Sequence, residues 1–307
     1  VALFEYGNTR LPAAEGYIRQ VVPLTDDLDK LSESLFALTT QGGDEYCGQV
    51  IDEAVTRLDW SKEAKGYKAI FICGNEPFTQ GPVDYRAACR RAIEHGIIVN
   101  TIHCGTSSEG IAGKWQDGAR LAEGEFFNID QDRAVVQIKC PQDEIIIRLN
   151  GELNQTYLWY GARNDREGFA KNQVAQDRNA ATAGLSSAVT RGAAKAGGAY
   201  NNESRDLVDA LKTDGEALKK VQKDELPDNL KNMSLEERAA YVEKIAAKRA
   251  DVQKKINALA AERESYLAAE RNRLANGTAD STLAGAVVKT IQKQLANSGF
   301  ETAKSSE

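Results

Sequence analysis

The stretch Ala69-Ile-Phe-Ile-Cys-Gly-Asn-Glu-Pro-Phe78 constrains the fold more than any other. It opens as an uninterrupted apolar run and gives way at Gly74 to a polar, proline-containing turn. A short apolar run ended in this way is the pattern of a buried parallel strand that delivers a site at its carboxyl end. Upstream, Gly42-Gly43-Asp44-Glu45 precedes a helical pattern. Two polar loops are therefore expected to open helices at one edge of one sheet.

The flanking sequence alternates in the same style. Strands are expected over 1–6, stopped by Gly7-Asn8, and over 17–24. Thr25-Asp26-Asp27 is a helix start, and Leu28, Leu31, Leu35 and Leu38 keep helical spacing. Gly42-Gly43 breaks that helix. Asp44 is expected to open the next, which buries Val50, Ile51, Ala54, Val55 and Leu58. Further strands are expected over 67–73, 97–104 and 124–129, and helices over 83–95 and 111–122. The alternation predicts an α/β domain over 1–130, an open, mostly parallel sheet with helices on both faces.

A predominantly α-helical region is expected over 131–300. Pro141 starts a helix in which Ile145, Leu149, Leu153 and Tyr157 share a face. Ser234-Leu-Glu-Glu237 is a capping-box pattern. Beyond it, Val242, Ile245, Val252, Ile256, Leu259 and Tyr266 follow a 3–4 spacing, with Arg249 and Arg263 in register. That predicts a short coiled-coil-like segment over 234–275, interrupted by arginines. Asn276-Gly277 reads as its stop, in preference to a glycosylation acceptor at Asn276-Gly-Thr278. A last amphipathic helix is expected over 281–296 and a disordered tail over 301–307.

Composition removes several functions. A net charge of -6 with no basic stripe argues against a nucleic-acid partner. No apolar run reaches the length of a transmembrane helix. The five cysteines (Cys47, Cys73, Cys89, Cys104 and Cys140) are odd in number and irregularly spaced, so they form no disulfide framework; one bridge stays open, and the redox compartment with it. No phosphate-binding glycine motif is present, and Asp44 and Glu45 would repel an anion at the helix they precede. The chain is not expected to be an enzyme. The enzyme alternative is a soft-metal or thiol site from Cys73, His103 and Cys104. The plainer reading makes buried lone cysteines small hydrophobes.

On these residues the first part of the chain resembles a von Willebrand factor type A domain of the bacterial kind. In that family a divalent metal sits above the sheet. It is held by an Asp-x-Ser-x-Ser loop after the first strand, by a Thr or Asp in a Gly-Gly loop, and by an Asp after the fourth strand. Gly42-Gly43-Asp44-Glu45 resembles the second element, and Gly74-Asn75-Glu76-Pro77 the third, with Asn75 where Asp is usual. No Asp-x-Ser-x-Ser occurs, and 1–6 matches the family's second strand. The expectation is a piece of a longer protein, lacking the first strand and its loop. The strands flanking that position would then lose a neighbour.

The resemblance implies a non-enzymatic protein-interaction or adhesion module, secreted or in the cell envelope. In the full-length parent, a partner's acidic side chain would complete the shell of a Mg²⁺ (or Mn²⁺ or Ca²⁺) ion. It implies Asp44 and Asn75 as metal ligands, with Glu45, Glu76 and Thr79 on the rim. The residues alone allow a plainer reading, with Asp44 a helix N-cap and Asn75 a turn residue. The alternative function is a structural or scaffold protein with a degenerate metal site, binding through its helical region.

Overall fold

The computed structural model describes residues 1–63, 66–129, 138–274 and 283–300. The expected boundary at 130/131, the Asn276-Gly277 stop, Ser281 and the 301–307 tail lie outside them. Two compact units emerge, each discontinuous in sequence.

The α/β unit begins with β1 (Leu3–Tyr6) and β2 (Ile18–Val22), an antiparallel pair in a sheet of their own. The chain then contributes α1 (Leu28–Phe36) to the other unit and returns as α2 (Cys47–Arg57). Next come β3 (Ala69–Gly74), α3 (Tyr85–Glu94), β4 (Ile98–Cys104), α4 (Ser107–Ala112), α5 (Trp115–Leu121) and β5 (Phe126–Ile129). These three strands form a parallel sheet in the order β3-β4-β5. The fold is mixed α/β, as the alternation predicts.

Helices flank both faces of that sheet, and β4 shows how. On one face the Thr101 hydroxyl donates to the Trp115 carbonyl of α5 at 2.9 Å. On the other, Asn100 exchanges hydrogen bonds at 3.3 and 2.9 Å with Gln294 of the last helix. Both β4 residues are fully buried, so each needs that partner. The core beneath the α5 face gathers Ile51, Val55, Ile72, Phe78, Tyr85 and Trp115.

The helical unit takes α1 and then α6 (Asp143–Asn154), α7 (Arg163–Ala183), α8 (Leu185–Ala196), α9 (Leu207–Thr213), α10 (Ala217–Lys220) and α11 (Leu235–Leu274). The last helix of the chain, α12 (Leu283–Asn297), belongs to the α/β unit. No described helix is long and apolar enough to cross a membrane.

Several expectations change. Asp44 does not cap α2: the Glu45 N–H donates to Gln80 Oε1 at 2.7 Å, and the helix starts at Cys47 behind an N-cap Tyr46 without a side-chain bond. The expected helix over 111–122 is two helices. A Thr106–Glu109 capping box starts α4, and Lys114 at φ 72° turns the chain before Trp115 starts α5. The α6 core face is Ile146, Leu149 and Leu153; Ile145 is exposed and Tyr157 lies beyond the helix. The leucine stripe of α1 does not hold either, since Leu35 is 54% exposed. That helix is fixed instead by Asp29, which accepts from Arg191 and from the Tyr200 hydroxyl, each at 2.6 Å.

The stripe over 234–275 lies in one long helix whose Val242, Val252 and Ile256 are buried in the unit's core, while Tyr266 is turned outward. Its arginines are anchors rather than interruptions. Arg249 donates to Asp206 at 2.7 Å, to Asp209 at 3.0 Å and to the Thr156 hydroxyl at 3.1 Å, with its guanidinium over the Tyr157 ring. Arg263 donates to Asp143 at 2.6 Å.

Candidate functional site

The polar loops meet at the carboxyl end of β3. Glu45 Oε2 accepts the backbone N–H groups of Asn75 at 3.0 Å and Glu76 at 3.2 Å. One carboxylate thus ties the Gly-Gly loop to the turn after the strand. Two glycines make room for it. A Cβ at Gly74 would lie 2.1 Å from that oxygen, and one at Gly7 would lie 2.7 Å from Glu45 Cγ. Gly7 also sits at φ 73°, a conformation that glycine adopts without strain.

The turn itself is pinned from below. Trp115, fully buried, donates its indole N–H to the Glu76 carbonyl at 2.9 Å. Phe78 is equally buried and packs edge-on against Trp115 and Tyr85. Its N–H donates to the Gly113 carbonyl at 2.8 Å. Gln80 bridges both loops, accepting from Glu45 N–H and donating to Glu76 Oε2 at 3.3 Å.

Electrostatically the clamp is a compromise. Burial raises the Glu45 carboxyl pKa, and the Glu76 charge adds to the rise; the two amide bonds oppose it. His103, 3% exposed and tilted against the Trp115 ring at 5.7 Å, leaves Nδ1 without a hydrogen-bond partner among the described residues. Burial pushes the Cys73 thiol up to about 11, with Cys104 adding to the shift. At neutral pH that thiol stays protonated and a poor nucleophile. All five cysteines are free of disulfides.

Of the residues singled out from the sequence, Glu45, Asn75 and Glu76 are brought into one hydrogen-bonded group. Asp44 is exposed and, among the described residues, accepts only from the Tyr46 hydroxyl at 3.4 Å; Thr79 is exposed on the turn after β3. Asn75 donates its side-chain amide to Glu76 at 3.3 Å. Among the described residues, no three His, Cys, Asp or Glu side chains are arranged to hold a metal ion. Glu45 Oε2 is already engaged by two N–H donors, and a hard divalent cation takes six or more oxygens. Tyr6, whose hydroxyl donates to the Cys73 carbonyl at 2.5 Å, Gln80 and Trp115 were not anticipated. Only Trp115 had a sequence signal, a large aromatic just after a glycine-interrupted turn.

No protein-family model matches the chain, and no curated protein matches it. Among solved structures it is similar to the "conserved hypothetical protein BatB from Bacteroides thetaiotaomicron", with 13% identity, 58% of this chain and 79% of that chain covered, and a TM-score of 0.33. At that level the likeness carries no argument. What stands of the resemblance is the coarse α/β architecture with its parallel sheet.

Proposed function

We propose that this chain is a non-enzymatic protein-interaction module that binds through the loops at the carboxyl end of its parallel sheet. The observation that carries the reading is the Glu45 clamp. Two amide bonds from Asn75 and Glu76 hold both loops in fixed register. The exposed side chains of Asp44, Asn75 and Thr79 are thereby presented on a rigid base. Preorganisation of this kind lowers the ordering cost of association. The Cys73 thiol at the end of β3 is held protonated by burial. The edge is acidic, so the complementary partner surface offers Lys, Arg or free N–H groups in direct contact.

The metal-dependent form of this reading is an outcome of its test. The chain and its Asp44→Ala variant are titrated with Mg²⁺, Mn²⁺ and Ca²⁺ while the melting temperature is followed. A ligand that binds only the folded state must raise it. Direct contact predicts no rise in either protein. A rise that disappears in Asp44→Ala would replace direct contact with a cation bridge to an acidic partner group. For partner binding, capture by the chain is compared with capture by Asp44→Arg at matched melting temperature. Equal retention of every partner by both would remove this edge as the binding surface. Binding through the stripe of α11 has little support, because its central residues are core.

A further inference from the structure

Inside the helical unit an amine, a carboxamide and a carboxylate meet, one from each of three helices. Lys195 of α8 is fully buried. Its ammonium donates to Asn154 Oδ1 at the end of α6, and to both carboxylate oxygens of Asp177 on α7 at 3.1 and 3.0 Å. Asn154 Nδ2 closes the triangle by donating to Asp177 Oδ2 at 2.7 Å. Lys195 can only donate and an ionised Asp177 can only accept, so the amide has one orientation. Its oxygen meets the amine and its nitrogen meets the acid. The Asn154 Cγ carbon is at most one C=O bond, about 1.2 Å, further from Nζ than the oxygen Nζ touches.

Protonation favours chemistry between them. Burial lowers the Lys195 pKa to about 8. At that pH about half of the amine is neutral, where an ordinary lysine is almost wholly charged. Burial works against the Asp177 carboxylate, yet Lys195, Asn154 and Arg191 together lower its pKa. Arg191 Nε contributes a bond to Asp177 Oδ1 at 2.7 Å. The carboxylate is therefore ionised and in contact with both the proton it would accept and the nitrogen it would protonate.

We propose that Lys195 and Asn154 join in an intramolecular isopeptide bond, with Asp177 as the acid–base group. Asp177 takes one proton from the Lys195 ammonium. The freed Nζ lone pair adds to Asn154 Cγ, which forms the new C–N bond and moves the C=O pair onto Oδ1. Asp177 passes its proton to Nδ2. The pair on Oδ1 returns, the Cγ–Nδ2 bond breaks and ammonia leaves. The second Nζ proton passes through Asp177 to that ammonia. A primary amide and an ammonium group thus become a secondary amide and free ammonium, with Asp177 restored and nothing oxidised or reduced. Fixed geometry supplies the effective concentration, and burial keeps water from competing. The bond ties α6 to α8 and constrains the unfolded chain as a disulfide would, in a protein whose five cysteines are all free. Freshly folded chain carries the ammonium, and the bond forms on standing. The site is independent of the acidic edge proposed above.

The test is intact mass and peptide mapping of the full chain, held folded for days at about pH 8.5, above the Lys195 pKa. The mass is expected to fall by one ammonia, and digestion to release a branched peptide joining Lys195 to Asn154. The rate should rise about tenfold between about pH 6 and about pH 7, and level off above about pH 8 as the amine becomes neutral. Asp177→Asn should slow it by about a hundredfold or more. Parent chain unfolded in urea should not react, a comparison that needs no variant to fold. Only linear peptides after incubation overturn the proposal, as does an ammonia loss that maps to another asparagine. A branch that forms equally well in urea, or at the parent rate in folded Asp177→Asn, overturns it too.

Discussion

At the scale of single residues, the determinants are buried charges that find partners far along the chain. Arg249 is 1% exposed and shared by Asp206 and Asp209. Arg249→Leu leaves both carboxylates buried without their guanidinium. The expected loss is about 3–5 kcal/mol in urea denaturation; a loss below about 1 kcal/mol would mean the aspartates find other partners. Lys195 is the second case. Its ammonium is fully buried and bonds to Asp177 at 3.0 and 3.1 Å, with Arg191 and Asp29 close by. Burial lowers its pKa from 10.5 to about 8, outweighing the pull of Asp177. Between those values the unfolded chain binds more protons than the folded one. The contribution of this group therefore rises as pH rises through the window. Stability measured at about pH 7.5 and about pH 9.5 is expected to rise more in the parent chain than in Lys195→Met. Equal changes would place the Lys195 titration outside that window.

At the scale of elements, close approaches decide where loops and helices sit. Gly74 lets Glu45 reach under the turn after β3, and a methyl group there would sit 2.1 Å from the carboxylate oxygen. Gly74→Ala is expected to cost about 1–3 kcal/mol. It should also speed amide exchange at Asn75 and Glu76, which lose their acceptor. Unchanged exchange at both would mean the clamp is not what orders the turn. This site was half legible in the sequence. The apolar run into Gly74-Asn75-Glu76 marked the right strand end, and Gly42-Gly43-Asp44-Glu45 the right loop. The roles within the loop were not legible. Asp44 and Glu45 are adjacent acids; the Glu45 N–H is held by Gln80 and its carboxylate by the Asn75 and Glu76 amides, while Asp44 is left in solvent. The split between α4 and α5 was hidden for a similar reason. Apolar spacing runs through Lys114, whose φ of 72° turns the chain just before the fully buried Trp115.

At the scale of the molecule, chain order and spatial order part company. α1 is early in sequence yet packs in the helical unit, while α12 follows the helical unit in sequence and closes the sheet of the α/β unit. Deleting α12 strips buried Asn100 of Gln294 and frees the Tyr67 hydroxyl that donates to Gln294 at 2.8 Å. Unfolding is then followed with Trp115 or Trp159 as the sole tryptophan, one reporter in each unit. The deletion should lower stability at Trp115 by about 2 kcal/mol or more, from the unpaired buried amide and the uncovered sheet. A larger loss at Trp159 would place the structural role of α12 elsewhere.

The sequence by itself determined the kinds of element and most of their positions: strands followed by helices in the first part, helices after it, and the strand end where the polar loops gather. Those follow from periodicity and from glycine and proline, which act within a few residues. Only the tertiary structure decided which acid forms the clamp, that the arginines of α11 are paired inside, and which unit claims α1 and α12. Each of these depends on partners that are distant along the chain. A buried charge is defined by what stands beside it in space, and local pattern carries no record of that neighbour.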